Sequence, residues 1–270
     1  MGESRIVYER RGGGSPLVLL HGLGHRRQAW RPVLRMLDTA HDVIALDLPG
    51  FGASSAPGAG ERYDIAWLVD AVERFCARLG LRRPHLAGNS LGGAIALELA
   101  ARGTAASATV FSPIGFTVGP ENVGNRLLTL GMGVAARVPE HIRVAVADSP
   151  LMRTVARRVL RGDPDIRHHN DVRFDATVLS AGSPFTRLAP EVAAYSFTAD
   201  TVECPVTVGW GDRDRILTPR AARRAAARIA HARLVSLPGC GHVPMADRPA
   251  LVSAAIMGTT RAVEQSAARF

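Results

Sequence analysis

The sequence predicts an α/β protein in which helices cover both faces of a mostly parallel central sheet. Short apolar runs alternate with helical runs, which is typical of parallel strands joined by crossover helices. The apolar run 16–20 has no polar alternation, as expected of a strand that is buried on both faces. Residues 113–197 lack strand patterns, and we expect them to form a helical insertion in this architecture.

The first part of the chain contains five predicted strands with helices between them. The best-marked helix follows Asp64, a residue type that caps helix N-termini, and ends before Gly80. A Pro/Gly-rich turn follows the third strand at residues 47–54. The predicted strands are 5–10, 16–20, 42–46, the run starting at Pro84, and 107–111, and the predicted helices are 26–37, 64–79 and a run ending at Ala100.

The pattern changes between residues 113 and 197. Short helix-like pieces at 126–138 and 151–160 are separated by prolines, and strand patterns resume only at 205–210. We therefore predict a core of residues 1–112 and 198–270 and a helical cap, or lid, of residues 113–197. The prolines in the segment are Pro139, Pro150, Pro164, Pro184 and Pro190, and the later elements are a strand at 232–237 and helices at 219–230 and 249–263.

Composition narrows the class of protein. The 270 residues are 47% hydrophobic and 21% charged, which is typical of a globular chain. No run reaches the ~18 apolar residues of a membrane-spanning helix, and the N-terminal residues do not resemble a signal peptide. The cysteines Cys76, Cys204 and Cys240 have no paired or zinc-like spacing. We expect a cytoplasmic protein with reduced thiols, no bound metal and no stable membrane insertion.

The net charge is +9, and all 33 basic residues are arginine. Such a charge raises the question of nucleic-acid binding. The densest arginine clusters, within residues 153–161 and 220–228, have helical spacing and no interleaved aromatic residues on which bases could stack. We interpret them as solvated helix faces and expect no nucleic-acid partner. The sequence leaves the oligomeric state open.

Residues 88–92 read Gly-Asn-Ser-Leu-Gly and fit the G-x-S-x-G pattern, between a predicted strand and a predicted helix. In this context the pattern predicts a nucleophile elbow, a tight turn that strains the serine backbone and projects its hydroxyl into a cleft. Gly88 and Gly92 are needed because side chains there would collide with the neighbouring strand or helix. Ser90 is therefore the candidate nucleophile.

A serine hydroxyl needs a base that accepts its proton and a third group that orients the base. His242 follows the last predicted strand in a glycine-flanked loop, and we predict that it is this base. Two acids, Asp212 and Asp214, follow the preceding strand. The order serine, acid, histidine is that of an α/β-hydrolase arrangement.

Five motifs together resemble the α/β-hydrolase fold with a helical cap, and they extend from residue 21 to 244, essentially the whole chain. The resemblance implies that Asp214, three residues after a glycine, is the acid and that Asp212 is a turn residue. It implies a structural role for His21 and an oxyanion hole formed by the backbone N–H groups of Leu23 and Leu91. Asp47 is interpreted as a turn-stabilising residue. The motifs are His-Gly-Leu-Gly at 21–24, Asp-Leu-Pro-Gly-Phe-Gly at 47–52, Gly-Asn-Ser-Leu-Gly-Gly at 88–93, Gly-Asp-Arg-Asp at 211–214 and Gly-Cys-Gly-His-Val-Pro at 239–244.

The resemblance implies a serine hydrolase, a carboxylesterase-like or lipase-like enzyme. Such an enzyme cleaves a small or medium carboxylic ester through a Ser-His-Asp triad and an acyl-enzyme, without a cofactor. The first alternative is a carbon–carbon bond hydrolase of ring-cleavage products, a class that shares the elbow. That class usually has Gly-Pro-Gly after the first His-Gly and Trp after the catalytic histidine, where this chain has residues 24–26, Gly-His-Arg, and Val243. The second alternative is a non-catalytic ligand-binding protein on the same fold.

Overall fold

A seven-stranded sheet forms the centre of the molecule, with the strand order β1-β3-β2-β4-β5-β6-β7. β1 is an antiparallel edge strand, and every other pair in the sheet is parallel. The strands are β1 Tyr8–Arg11, β2 Ser15–Leu20, β3 His41–Leu46, β4 His85–Asn89, β5 Ser107–Phe111, β6 Val206–Gly211 and β7 Arg233–Leu237. The computed structural model describes residues 5–58, 60–135, 137–139, 141–142, 145–146, 149–162 and 185–267.

The helices pack on both faces of the sheet, as predicted. Alternate residues of β2 serve opposite faces: Val18 and Leu20 belong to one apolar cluster, and Leu17 and Leu19 to the other. The helices outside the insertion are α1 Arg31–Leu37, α2 Ile65–Arg78, α3 Leu91–Ala101, α7 Arg220–Arg228, α8 Pro244–Asp247 and α9 Pro249–Ala267; a 3-10 turn at Arg27–Trp30 precedes α1.

The residues at the N-termini of two helices explain where these helices start. The Asp64 carboxylate accepts a hydrogen bond from the Trp67 N–H at 2.8 Å, which confirms it as the N-cap of α2. The predicted helix 26–37 is divided into a 3-10 turn and α1, with a proline in the first turn of α1.

Residues 113–197 supply helices and no strand within their described part. These helices are α4 Pro120–Ala135, α5 Pro150–Leu160 and α6 Phe185–Ala194. One expectation was wrong, because Pro190 lies inside α6 and does not separate two pieces. Pro164 and Pro184 fall outside the described residues. That the segment is a cap remains a prediction.

No helix in the described part of the chain is long and apolar enough to cross a membrane.

A polar cluster lies at the amino ends of the parallel strands, on the edge opposite to the carboxyl ends. The buried rings of His41 and His85 are 5.9 Å apart, and their Nδ1 atoms form hydrogen bonds with Ser15 at 2.9 Å and Ser107 at 2.8 Å. The carboxylate of Glu264 on α9 accepts a hydrogen bond from the Ser15 hydroxyl at 2.5 Å. Burial lowers the pKa of both histidines, so that they are neutral at pH 7.

Candidate active site

The carboxyl ends of four strands place the sequence-predicted residues at one edge of the sheet. The Leu23 loop follows β2, Ser90 follows β4, Asp214 follows β6 and His242 follows β7. Ligands of open parallel sheets bind at this edge because the connecting loops there diverge and leave a crevice. Ser90, Asp214 and His242 are all buried.

The turn at Ser90 has the strained conformation that the sequence predicts. Ser90 has φ 55° and ψ −114°, in the left-handed half of backbone space, which a non-glycine residue adopts at a cost of about 1–3 kcal/mol. A Cβ on Gly88 would lie 2.2 Å from the Gly92 carbonyl oxygen, and one on Gly92 would lie 2.2 Å from the Leu20 carbonyl oxygen. The two glycines are therefore required by the close approach of backbone to backbone.

His242 and Asp214 are in direct contact. The His242 Nδ1 and Asp214 Oδ2 atoms are 2.9 Å apart. The other carboxylate oxygen, Oδ1, accepts the backbone N–H groups of Ile216 and Leu217, each at 2.9 Å. Because an ionised carboxylate only accepts, the Nδ1 atom carries the proton in the neutral imidazole, and Nε2 is left with a free lone pair.

Asp212 occupies a different place. Its carboxylate accepts the Gly239 N–H at 2.8 Å, and the residue is exposed. The bond joins the loop that follows β6 to the loop that follows β7. Asp214, and not Asp212, is therefore the partner that the structure gives to His242.

Within the described residues, the Ser90 hydroxyl forms no hydrogen bond with His242. In ligand-free enzymes this contact is often long and tightens only when substrate binds. The adjacent residue provides a connection that the sequence did not reveal. The Asn89 side-chain N–H₂ donates to the carbonyl oxygens of His242 at 3.0 Å and Phe111 at 3.1 Å. Asn89 thus fixes the backbone of His242 relative to β4, the strand that Ser90 follows.

The loop after β2 lies against Ser90. A Cβ on Gly22 would lie 3.3 Å from the Ser90 Cβ, which brings the adjacent Leu23 into the neighbourhood of the nucleophile. Leu91 is the first residue of α3, so its N–H has no acceptor within the helix and is free to bind an anion. These are the two backbone groups predicted for the oxyanion hole.

His21 holds this loop, as the resemblance implies. Its Nε2 accepts the Leu48 N–H at 2.9 Å, so Nδ1 carries the proton and donates to the Gly22 carbonyl oxygen at 2.8 Å. Burial lowers the pKa of His21 to about 4, and the imidazole is neutral at pH 7. A neutral ring of fixed tautomer maintains the two bonds and does not act as a base.

Asp47 stabilises a turn, which confirms its interpretation. The buried carboxylate accepts the backbone N–H groups of Arg27 at 2.7 Å and Ala53 at 2.9 Å, and it pairs with the Arg27 guanidinium. The residue therefore joins the 3-10 turn before α1 to the loop after β3.

Among the described residues, no group of three or more histidine, cysteine or acidic side chains could hold a metal ion.

The family model of the alpha/beta hydrolase family matches residues 17–255, which is most of the chain. The chain belongs to the α/β-hydrolase family. The fold agrees with this family in its mostly parallel sheet and in the helices on both faces. The hydrolase family, and with it a hydrolase scaffold, is thereby established for the protein.

Individual relatives span a range of activities. The chain is 26% identical over 265 residues to the human monoacylglycerol lipase ABHD6, a match that covers 91% of this chain and 76% of that protein. It is 40% identical over 115 residues to the dihydrolipoyllysine-residue acetyltransferase component of the acetoin cleaving system of Cupriavidus necator, but this covers only 42% of this chain and 30% of that protein. Among solved structures, a bacterial membrane phospholipase A is 28% identical with a TM-score of 0.80, over 97% of this chain and 84% of that one.

Proposed function

We propose that the protein is a serine hydrolase that cleaves a small or medium carboxylic ester. The observation that carries the proposal is the 2.9 Å contact between His242 Nδ1 and Asp214, at the sheet edge where the strained turn presents Ser90. It leaves Nε2 of the imidazole as the basic atom. The lipase name of the human relative supports an ester substrate.

The proposed reaction has two halves. Ser90 Oγ attacks the ester carbonyl carbon while His242 Nε2 takes the hydroxyl proton, and the carbonyl oxygen becomes an anion that accepts the N–H groups of Leu23 and Leu91. When the tetrahedral intermediate collapses, His242 returns the proton to the leaving alcohol and an acyl-enzyme remains. A water molecule then attacks the acyl carbonyl carbon while His242 Nε2 takes its proton; the bond to Ser90 Oγ breaks, Ser90 regains a proton from His242, and the carboxylic acid leaves. Asp214 holds the neutral imidazole in the required tautomer and stabilises the imidazolium that forms at each proton transfer.

The inserted segment 113–197 is proposed to cover Ser90 and to select the substrate. Two contacts support this placement: the Leu160 carbonyl oxygen accepts the His242 N–H at 3.0 Å, and the Arg213 guanidinium donates to the Gly162 carbonyl oxygen at 3.1 Å. Residues of the insertion thus reach the loops that carry the proposed base and acid. A cover at this edge excludes water from the acyl-enzyme and contacts the acyl chain.

The experiment compares the wild type with Ser90→Ala, using a fluorophosphonate probe and a panel of esters with acyl chains of different length. We expect the probe to label the wild type at Ser90, and Ser90→Ala to lower kcat by at least about 10³-fold while it retains the circular dichroism of the wild type. The panel then gives the preferred acyl length.

Three outcomes would point elsewhere. Turnover by Ser90→Ala at the wild-type rate would exclude the serine mechanism. A wild type that neither reacts with the probe nor cleaves any ester would favour a ligand-binding protein. Cleavage of a ring-cleavage diketone faster than any ester would favour the carbon–carbon hydrolase.

A further inference from the structure

Asp247 is a buried carboxylate in α8, five residues after His242. Its Oδ2 atom accepts two backbone hydrogen bonds, from Gly241 at 2.7 Å and from Gly162 at 3.0 Å. Gly241 immediately precedes the proposed base, whereas Gly162 belongs to the inserted segment. One carboxylate oxygen therefore joins two stretches of chain that are far apart in sequence.

The same two stretches are in contact through their backbones. A Cβ on Gly162 would lie 2.0 Å from the Gly239 carbonyl oxygen, and one on Gly241 would lie 2.6 Å from the Arg161 carbonyl carbon. The Leu160 carbonyl oxygen also accepts the His242 N–H at 3.0 Å. Residues 160–162 therefore lie directly on the loop 239–242, with no room for a side chain at either glycine.

The Asp247 carboxylate is charged as well as buried, and its neighbours include a cation. The Arg161 Nη1 atom lies 4.0 Å from Asp247 Oδ1, and both side chains are largely buried. A buried carboxylate is costly unless hydrogen bonds and a counter-charge stabilise it. Here the stabilising groups include a cation of the inserted segment and the N–H groups of Gly162 and Gly241. Contacts from residues 160–162 and from the loop of the histidine thus meet on one carboxylate.

We propose that Asp247 is a positioning residue, which fixes the direction of the His242 imidazole by locking residues 160–162 onto the loop 239–242. The proposal rests on the proposed function, because it takes His242 as the base of the reaction. Without the carboxylate the N–H groups of Gly241 and Gly162 lose their shared acceptor, and the backbone on the N-terminal side of His242 is free to shift. A displacement of about 1 Å at a reacting group costs about 10²-fold in rate.

The test uses Asp247→Ala and Asp247→Asn in the full-length protein. We measure kcat and KM for a short-chain activated ester, normalised by the amount of labelled serine, and the rate constant of fluorophosphonate labelling. Asp247→Ala is expected to lower kcat and the labelling rate by about 10²-fold with little change in KM. Asp247→Asn should recover most of this loss, since one amide oxygen can still accept both N–H groups.

Asp70→Ala is the matched control, because Asp70 is a half-buried carboxylate far from His242 in the sequence, and it pairs with Arg102 at 2.7 Å. It should retain the wild-type kcat and labelling rate. Gly162→Ala perturbs the same contact from the other side, since its Cβ has no space against Gly239. It should also lower kcat and the labelling rate, and it decides the question if Asp247→Ala does not fold.

A purely structural role predicts a different result. Asp247→Ala and Gly162→Ala would then lower the melting temperature but, when folded, would retain the wild-type kcat and labelling rate, and this would overturn the proposal. The failure of the proposed function has another signature. In that case the wild type itself is not labelled, or Ser90→Ala is labelled equally.

Discussion

Replacing Asp214 by asparagine tests whether Asp214 is the acid that orients His242, and the hydrogen bonds of Asp214 indicate how far kcat should fall. Asp214 accepts on both oxygens: Oδ2 from His242, and Oδ1 from the N–H groups of Ile216 and Leu217. An asparagine has only one accepting oxygen. If this oxygen faces the two backbone N–H groups, its N–H₂ group faces His242 Nδ1.

The imidazole must then accept at Nδ1 and carry its proton on Nε2, where it cannot take the proton of Ser90. The opposite rotamer of the asparagine would leave the N–H groups of Ile216 and Leu217 without an acceptor, at about 1–3 kcal/mol for each buried donor. The first arrangement is therefore favoured. We expect kcat to fall by about 10⁴-fold, which corresponds to about 5.5 kcal/mol of transition-state stabilisation.

Asp212→Asn is the matched control for this experiment. Its amide oxygen can still accept the Gly239 N–H, so kcat should stay within about threefold of the wild type. Both variants are assayed with the same activated ester after their circular dichroism and melting temperature have been compared. The reasoning fails if Asp212→Asn is the more damaging change, or if a folded Asp214→Asn retains a tenth of the wild-type kcat.

Two further predictions concern stability. Gly92→Ala should lower the free energy of unfolding, measured in urea titrations, by about 1–3 kcal/mol or more. The reason is that the alanine Cβ would lie 2.2 Å from the Leu20 carbonyl oxygen. Gly131 is a helical glycine at which an added Cβ would meet no described atom within 4 Å outside its chain neighbours and its own helix backbone, so Gly131→Ala should be neutral or stabilising; the opposite order would contradict the packing argument. The pKa of His41 and His85 is lower in the folded state than in the unfolded chain, so below about pH 6.5 the unfolded chain binds more protons and stability falls. Urea titrations between pH 5 and 8 measure this loss, and replacing both histidines by glutamine should reduce the slope; an unchanged slope would assign it to other groups.

The elements that the sequence predicts well are those whose cause is local. The turn at Ser90 depends on glycines two residues away on each side, and both lie inside one short motif. The start of α2 depends on Asp64, which caps the N–H of a residue three positions later. The buried strand β2 is recognisable because its apolar residues are continuous.

The remaining features depend on contacts between distant parts of the chain. β1 begins at Tyr8, and not at residue 5 as expected, because its extent is set by its pairing with β3. The role of Asn89 depends on the carbonyl group of His242, more than a hundred residues away. Asp247 belongs to a four-residue helix that we did not predict from the sequence, and it contacts Gly162 only in the folded chain. The choice between Asp212 and Asp214 came from the resemblance to a family, and the geometry then gave Asp214 to His242.

The close crossing of residues 160–162 over the loop 239–242 has a consequence for engineering substrate range by exchanging the inserted segment for one from a relative. A graft that removes these residues would also remove the Leu160 carbonyl acceptor of the His242 N–H. A donor segment with a side chain in place of Gly162 would collide with the Gly239 carbonyl oxygen. Chimeras that retain residues 160–162 should therefore tolerate replacement of α4 and of residues 150–159 more readily than chimeras joined at the end of β5 and the start of β6.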